Sequence, residues 1–261
     1  MGDVIYAPLI DDMMWSYSRI KCFSDCPYRF YMKYIRRLRG KDMFFASYGS
    51  FLHELIASFY SEGISKENLT EQYLLGFKRR VVGQAPSQKV FTSYFLDGLS
   101  YLNTISIIPI DIMGIEKKIS FCVGGKPFIG YIDLLGKSGS SLCIIDHKSR
   151  KLKPRSNRDE PTKTDRELDD YLVQLYLYSV AVEAEFGKKP EFLCFNCFRE
   201  GTYIKEQFYE QKFELAKKWA LDSIETIRNE VDFRPSVEWF KCTYLCEMQD
   251  HCEYYEMMSR R

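Results

Sequence analysis

Apolar residues in the first part of the chain recur every three or four positions, which predicts amphipathic helices. This spacing predicts a helix over Ser47–Tyr60. A second helical stretch is predicted over Ser16–Arg37, with Ser16 or Ser18 as its cap and with Pro27 starting another short helix. The chain is therefore expected to open with helices that precede any sheet.

The hydrophobic period changes after Lys66–Ile107, a segment that is itself predicted to be mostly helical. Three runs rich in β-branched and aromatic residues follow, and Gly-Gly and Ser-Gly-Ser turns separate them, which predicts a meander. The charged segment Arg150–Asp170 is predicted to be an exposed connection or a DNA-facing flap. From the first strand onward, the predicted elements are strands at Ile115–Cys122, Phe128–Gly136 and Ser141–Lys148, a helix at Leu168–Phe186, a strand at Glu191–Phe198 and a helix within Thr202–Glu230. The predicted fold class is α/β (α+β), with a core that runs helix, three strands, helix, strand.

Composition excludes several classes of protein. The 261 residues are 46% hydrophobic, which is enough core for one large domain or two small ones. The 37 basic and 36 acidic residues give a net charge of +1, so a surface that binds nucleic acid must be a local feature. No apolar run is long enough to span a membrane, and Met1–Tyr17 lacks the basic start of a signal peptide. Nine cysteines in such a chain predict a reducing, cytoplasmic location with metal-bound or buried thiols.

Two carboxylates lie at the ends of predicted strands, where burial is costly unless each is paired or binds a cation. Asp133 follows Gly-Tyr-Ile, and Asp146 ends an apolar run. Adjacent strand ends can bring both to one Mg²⁺ or Mn²⁺, which prefer oxygen ligands. Lys148 lies two residues after Asp146 and so on the same face, where it can neutralise charge on a phosphate. These groups fit metal-assisted phosphodiester hydrolysis, and the alternative is a salt bridge between strand ends.

Four cysteines near the two ends of the chain form a second candidate site: Cys26, Cys242, Cys246 and Cys252. Four thiolates can hold a [4Fe–4S] cluster or a structural zinc ion. Zinc usually takes two closely spaced cysteine pairs, so the spacing here favours the iron–sulfur cluster. Cys194 and Cys197 are predicted to be core thiols instead, because residues three apart on a strand point to opposite faces.

Five short motifs follow one another over most of the chain: Ser16–Phe30 (S-x-S to C-P-x-R-F), Gly49–His53 (G-x-x-x-H), Gly130–Asp133 (G-x-hydrophobic-D), Ile144–Lys148 (two hydrophobic residues and D-x-K) and Gln174–Tyr178 (Q-x-x-x-Y). These motifs and their order resemble the PD-(D/E)XK nuclease superfamily. Within it they are most similar to the RecB-like branch, which includes the AddB nuclease domain and the CRISPR-adaptation exonucleases with an iron–sulfur cluster. One departure is the three-residue gap between Cys242 and Cys246, where the branch usually has two residues.

The resemblance implies a restriction-endonuclease-like core in a single nuclease domain over residues 1–261. A helical insertion would span 62–108, and the catalytic sheet and helix would span 109–200. An iron–sulfur module would join 16–37 to 239–256 as a staple between the termini. Its cluster ligands would be Cys26, Cys242, Cys246 and Cys252.

The resemblance also implies which residues bind the Mg²⁺ or Mn²⁺ ion. His53, Asp133 and Asp146 would be ligands, and the backbone carbonyl of His147 is a further candidate. Glu116 would be an additional acidic member of the site, or else an ordinary surface residue of a strand. The alternative for His53 is a core histidine whose hydrogen bonds are satisfied.

Three more residues would act on the substrate. Lys148 would be the catalytic lysine. Gln174 and Tyr178 are four apart and share one helix face, so they would reach the substrate phosphate or support the lysine. The alternative for this pair is a polar patch beside the core.

The implied function is that of a metal-dependent DNA nuclease, more specifically an exonuclease, acting in recombination, repair, phage metabolism or CRISPR adaptation in a prokaryotic or phage-encoded setting. Its substrate would be DNA that is single-stranded or has free ends, and its partner a helicase, recombination or CRISPR-adaptation protein. The alternative is a non-catalytic DNA-binding or assembly subunit that keeps the nuclease fold and the cluster. Inactive members usually lose the Asp or Lys of D-x-K, and this chain keeps Asp146 and Lys148, which favours an enzyme.

Overall fold

The computed structural model of the chain describes residues 6–259, and a five-stranded mixed sheet lies at its centre. The strands follow one another across the sheet in chain order. The first three form an antiparallel meander, the third and fourth are parallel, and the last two are antiparallel. The strands are β1 (Asp111–Val123), β2 (Lys126–Ser138), β3 (Ser141–Lys148), β4 (Phe192–Cys197) and β5 (Thr202–Gln207).

Helices precede the sheet, connect its parallel strands and follow its last strand. The parallel pair β3 and β4 requires a crossover, which the longest helix supplies. The helices are α1 (Ala7–Asp11), α2 (Tyr17–Asp25), α3 (Pro27–Phe30) with a π-helical turn at Tyr31–Ile35, α4 (Phe44–Glu62), α5 (Lys66–Arg80), α6 (Gln88–Thr104), α7 (Lys163–Phe186), α8 (Glu210–Arg228), α9 (Trp239–Tyr244), a 3₁₀ turn at Gln249–His251 and α10 (Glu253–Ser259).

The predicted order of helix, three strands, helix and strand is present as α4, β1 to β3, α7 and β4. The mixed sheet and its helices are consistent with a restriction-endonuclease-like fold. The Gly124-Gly125 turn between β1 and β2 has φ values of +54° and +77°, a left-handed conformation that glycine adopts without steric cost. Ser16 is the N-cap of α2, where its side chain accepts the Arg19 N–H at 3.1 Å.

Two features differ from the sequence-based expectation. Helix α7 begins at Lys163, inside the segment predicted to be a loop, because Thr162 and Asp165 form a reciprocal capping box. Strand β5 was not predicted. It is an edge strand in which only Ile204 is fully buried, so its hydrophobic alternation is too weak to identify it.

The core is divided by the sheet. On one side, α7 and α8 pack their apolar residues against the strands, and on the other side a smaller cluster contains Ile145. Cys197 belongs to the first cluster and Cys194 to the second. The prediction that these two are core thiols on opposite faces of one strand is therefore confirmed.

Helices α4, α5 and α6 form an aromatic cluster of their own. The rings of Tyr48 and Tyr94 are 4.8 Å apart, and those of Phe51 and Tyr73 are stacked at 5.8 Å. The packing is close enough that a Cβ on Gly76 of α5 would lie 2.6 Å from the Phe51 ring. Helices α5 and α6 fall in the stretch predicted to be helical, and α4 carries this cluster next to the sheet. Within residues 6–259, none of the helices is long and apolar enough to cross a membrane.

Candidate active site

One cavity of about 750 Å³ collects side chains of the sequence motifs from several parts of the fold. Helix α4 contributes His53, β2 contributes Asp133, and β3 contributes Asp146 and Lys148. The carboxylates lie near one another because β2 and β3 pair as far as Leu134–Ile145, which leaves Asp133 and Asp146 just beyond the end of that ladder. The other residues that line the cavity are Ser16, Ser18, Ser50, Ile129, Gly130, Tyr131, His147, Ser149, Arg150, Gln174 and Tyr178.

The tautomer of His53 follows from its hydrogen bond. Its Nε2 lies 2.9 Å from the carbonyl oxygen of His147, which can only accept, so Nε2 carries the proton. Burial lowers the pKa of His53, and the ring is therefore neutral. Its unprotonated Nδ1 faces Asp133 Oδ2 at 3.5 Å and Glu116 Oε1 at 3.9 Å. The lone pair of this nitrogen is thus directed at two acidic groups.

His53, Glu116 and Asp133 form a candidate cation site, with one ligand atom from each lying within 4.8 Å of the others. Burial, and then the charge of Asp146, raises the pKa of Asp133 well above its usual range, and the same two causes raise the pKa of Glu116. Glu116 lies between the Ile115–Leu134 and Lys117–Ile132 pairs of the sheet, with φ at +45°. A left-handed conformation at a residue other than glycine costs on the order of 1–3 kcal/mol and is typical of functional sites.

Asp146 and Lys148 form the second half of the site. The Lys148 ammonium lies 2.8 Å from Asp146 Oδ2, but the angle is not that of a hydrogen bond, so this buried oxygen has an ion-pair contact and no hydrogen bond among the described residues. Lys148 Nζ donates to Gln174 Oε1 at 3.1 Å, and Gln174 Nε2 donates to the Tyr178 hydroxyl at 3.1 Å. Gln174 and Tyr178 therefore support the lysine.

Gly130 explains how Tyr178 reaches this position. A Cβ at residue 130 would lie 2.4 Å from Tyr178 Cε1, so the ring packs directly on the backbone of β2. Burial raises the pKa of Tyr178 to about 12, which keeps its hydroxyl neutral and able to accept the Gln174 N–H.

His147 contributes its backbone to the site. Its N–H donates to Asp133 Oδ2 at 2.6 Å, and its carbonyl accepts the His53 Nε2–H. Its imidazole accepts from Asn196 Nδ2 at 3.0 Å, and burial lowers its pKa to about 3. The carbonyl keeps a second lone pair, so its role as a metal ligand stays a prediction.

A family model of the PD-(D/E)XK nuclease superfamily matches residues 14–253. The chain belongs to this superfamily. Its structure is also similar to the crystal structure of a candidate exonuclease from Eubacterium rectale, with a TM-score of 0.51 and 13% sequence identity over 98% of this chain and 92% of that one. At that identity the similarity shows the fold alone. A comparison with curated proteins gave no match.

Nucleases of the PD-(D/E)XK superfamily use divalent metal ions, and the residues that line this cavity could bind one. The carboxylate oxygens are ligands that Mg²⁺ and Mn²⁺ prefer, and the neutral histidine nitrogen is a softer ligand beside them. Asp146 Oδ2, buried without a hydrogen bond, is a further donor that a cation would satisfy. The serines and the arginine that line the cavity were not predicted as site residues. Sequence position could have indicated two of them, because Ser50 lies between Gly49 and His53 of one motif and Arg150 lies two residues after Lys148.

The second feature expected from the RecB-like resemblance is the junction between the two ends of the PD-(D/E)XK domain. Glu247 receives Arg29 Nη2 and Lys33 Nζ, each at 2.5 Å, and its backbone oxygen accepts the Lys41 N–H at 2.9 Å. The His251 Nε2–H donates to the carbonyl of Arg39 at 2.9 Å. The segment that follows α9 is thus bound to the one that follows α3.

Cys26, Cys242 and Cys246 line one cavity at this junction, but among the described residues no three of the four terminal cysteine sulfurs lie within 4.8 Å of one another. Burial raises the pKa of Cys246 to about 11 and also raises that of Cys252, and in both cases the nearby Cys26 contributes. Cys242 contributes to the raised pKa of Cys252. The Arg29 N–H donates to Cys26 Sγ at 3.4 Å. Further backbone N–H groups reach the sulfurs of Cys246 and Cys252.

Proposed function

We propose that this chain is a Mg²⁺- or Mn²⁺-dependent deoxyribonuclease that hydrolyses phosphodiester bonds as an exonuclease. The observation that carries the proposal is the pairing of two half-sites in one cavity. In one, the lone pair of His53 Nδ1 faces Glu116 and Asp133. In the other, Lys148 stands beside the buried Asp146.

His53, Asp133 and Asp146 would hold the ion, with Glu116 at its edge; the His147 carbonyl lies on the Nε2 side of the imidazole, away from an ion bound to Nδ1. Bound there, it would supply Lewis acidity and lower the pKa of a coordinated water. The histidine is held for this task because its other nitrogen donates to the His147 carbonyl, an arrangement common among metal-binding histidines.

The protein's own contribution to the reaction lies in Lys148. Its ammonium is positioned by Gln174, which in turn donates to Tyr178, so the positive charge is fixed before substrate binds. A preorganised cation stabilises charge that develops on a phosphate without a cost of reorganisation. This supports an active enzyme over a binding subunit.

The proposed substrate and mode of cleavage are supported by the similarity to other proteins. Superfamily membership supports DNA as substrate, and the structural relative from Eubacterium rectale carries the name of a candidate exonuclease. The RecB-like motifs support a role in recombination, repair, phage metabolism or CRISPR adaptation, beside a helicase or another protein of those systems.

The proposal includes a [4Fe–4S] cluster on Cys26, Cys242, Cys246 and Cys252. Backbone N–H groups directed at sulfur suit thiolate ligands, because such hydrogen bonds stabilise the negative charge. The Glu247 ion pairs bring both segments together beside the cysteines. The cluster would be structural and would join the two ends of the domain.

Cleavage of end-labelled linear DNA and of circular DNA, each with Mg²⁺, Mn²⁺ or EDTA, tests the function. We expect release of nucleotides from linear DNA only, in the presence of metal. Asp146→Asn and Lys148→Gln should each reduce kcat by about a hundredfold or more, since one preorganised electrostatic contact contributes roughly that much. Asp222→Asn, an exposed position on α8, is the matched control.

Activity in EDTA, or an Asp146→Asn protein as active as the wild type, would refute the metal-dependent mechanism. Cleavage of circular DNA would refute the exonuclease mode alone. DNA binding without cleavage under any of these conditions would identify the non-catalytic alternative.

A further inference from the structure

Two cavities adjoin the catalytic cavity, one lined by acidic and the other mainly by basic side chains, and Ser50 lines all three. The neighbour of about 770 Å³ carries Glu54 and Glu116 and no lysine or arginine. The neighbour of about 570 Å³ carries five cationic side chains and two acidic ones. We call the second one the basic cleft. Its charged lining residues are Arg29, Lys33, Lys41, Arg79, Arg80, Asp42 and Glu247.

The walls of the basic cleft come from distant parts of the chain. Helix α4 contributes Ser47 and Phe51, the end of α5 contributes Arg79, and the C-terminal segment contributes Leu245 and Glu247. The residues between the cysteines Cys242 and Cys252 thus form one side of the cleft, so the junction of the two termini also shapes it.

The cationic side chains of the basic cleft differ in whether they already pair with an acidic group. Arg29 and Lys33 are both engaged by Glu247 and fix the wall. Arg80 pairs with Glu54. Arg79 makes no ion pair within residues 6–259 and is exposed.

Lys41 has only a weak partner. It meets Asp250 at 3.3 Å, and the two side chains are 39% and 67% exposed, a situation in which an ion pair contributes little. Arg79 and Lys41 are therefore the cations most available to an external anion.

We propose that a single strand of the nucleic-acid substrate runs from the catalytic cavity past Ser50 into the basic cleft, where Arg79 and Lys41 bind its phosphates. The inference rests on the proposed function, because it assumes that the cavity holds a scissile phosphate. With a net charge of +1 the protein has no global attraction for DNA, so a local basic surface next to the site must supply it.

The size and lining of the basic cleft favour a single strand. A cavity of about 570 Å³ is in the range of small-molecule sites, about 300–1,000 Å³, which suits one or two nucleotides and not a duplex. Its apolar lining includes the exposed side chain of Leu245, against which a base can pack, while Met43 and Phe51 line the cleft from the buried core. Cationic grooves with apolar and aromatic surface are typical of proteins that bind single strands.

The test measures binding of a labelled single-stranded oligothymidylate in EDTA over a range of salt concentrations. Arg79→Gln and Lys41→Gln should each weaken binding and reduce the slope of log K against log salt by about 0.7, the value for one lost phosphate contact on a single strand, and the double variant by about 1.4. Lys218→Gln, a 70% exposed lysine of α8, is the charge-matched control and should leave the slope unchanged.

Hydrolysis of bis(p-nitrophenyl) phosphate, which is small enough to occupy the catalytic cavity alone, should be unaffected in all four variants. An unchanged slope in both Arg79→Gln and Lys41→Gln, or an equal loss in Lys218→Gln, would overturn the inference. Tighter binding of duplex than of single strand, with the same residues responsible, would overturn the assignment to a single strand. If the variants show the slope changes but the wild-type protein hydrolyses neither DNA nor bis(p-nitrophenyl) phosphate, the nuclease is refuted and the cleft still stands.

Discussion

Gly130→Ala is expected to damage the site through Tyr178 and not through the metal ligands. The new Cβ would lie 2.4 Å from Tyr178 Cε1, 2.9 Å from Cζ and 3.1 Å from Cδ1, so the ring must move. The ring is buried, and no flexible chain end is available to yield. Overpacking of this kind costs about 1–3 kcal/mol of unfolding free energy. For a chain of this length, that cost corresponds to a Tm lower by about 2–12 °C.

Displacement of the ring also has a catalytic consequence. The Tyr178 hydroxyl accepts from Gln174, and Gln174 accepts from Lys148, so movement of the ring frees the lysine. We expect kcat to fall while the affinity for Mn²⁺, measured by calorimetry, stays the same. Gly49→Ala is the matched control, because its Cβ would meet only Ser149 Oγ, at an ordinary 3.5 Å, and alanine is the better helix former by about 1 kcal/mol.

A double-mutant cycle distinguishes the clash from a general effect of glycine replacement. In a Tyr178→Ala background the ring is gone, and Gly130→Ala should then change Tm and kcat little. If Gly130→Ala costs as much without the ring as with it, the close approach of Tyr178 is not the reason for glycine at this position, and the reasoning fails.

The remaining predictions concern the junction of the two termini. Burial opposes ionisation of Glu247, but Arg29 and Lys33 hold its pKa below its usual range, so the ionised carboxylate stabilises the fold above its unfolded pKa of about 4.3. This contribution is lost as the pH falls further, so Glu247→Gln should remove part of the acid dependence of Tm. Acid unfolding of this variant identical to that of the wild type would argue against the ion pairs. Protein purified without oxygen should be brown and hold about four irons per chain. Cys26→Ser should lose the colour and lower Tm, whereas Cys194→Ser should keep the colour. A colourless wild-type protein that holds one zinc ion would refute the cluster.

Most of the residues that line the two half-sites of the cavity could be named from the sequence, because their signals are local. Asp146 and Lys148 follow an apolar run that had to be a buried strand, and their spacing of two placed them on one face. Gln174 and Tyr178 lie on one face of a helix for the same kind of reason. The order of the core elements along the chain also followed, because the apolar periods change at the right positions.

What the sequence could not supply depends on contacts between distant segments. The unprotonated nitrogen of His53 was identified only by the carbonyl of His147, ninety-four residues away. The position of the Glu116 side chain depends on the left-handed backbone conformation of Glu116 itself within β1. A sequence does not indicate such a conformation when the residue is neither glycine nor asparagine. The basic cleft is formed by Lys41, Arg79 and Leu245, which have no common motif.

The geometry of the acidic half-site is unfavourable taken by itself. A nitrogen lone pair faces the oxygens of Glu116 and Asp133, burial raises the pKa of both carboxyl groups, and Glu116 adopts a strained φ. A divalent cation would offset the first two of these costs, because it attracts the lone pair and favours the ionised carboxylates. The rest of the fold, from the buried sheet to the hydrogen bond on His53 Nε2, holds these groups in place in spite of their mutual repulsion. Cation binding would release the free energy that this arrangement costs, and this is the physical argument in support of the proposed metal-dependent catalysis.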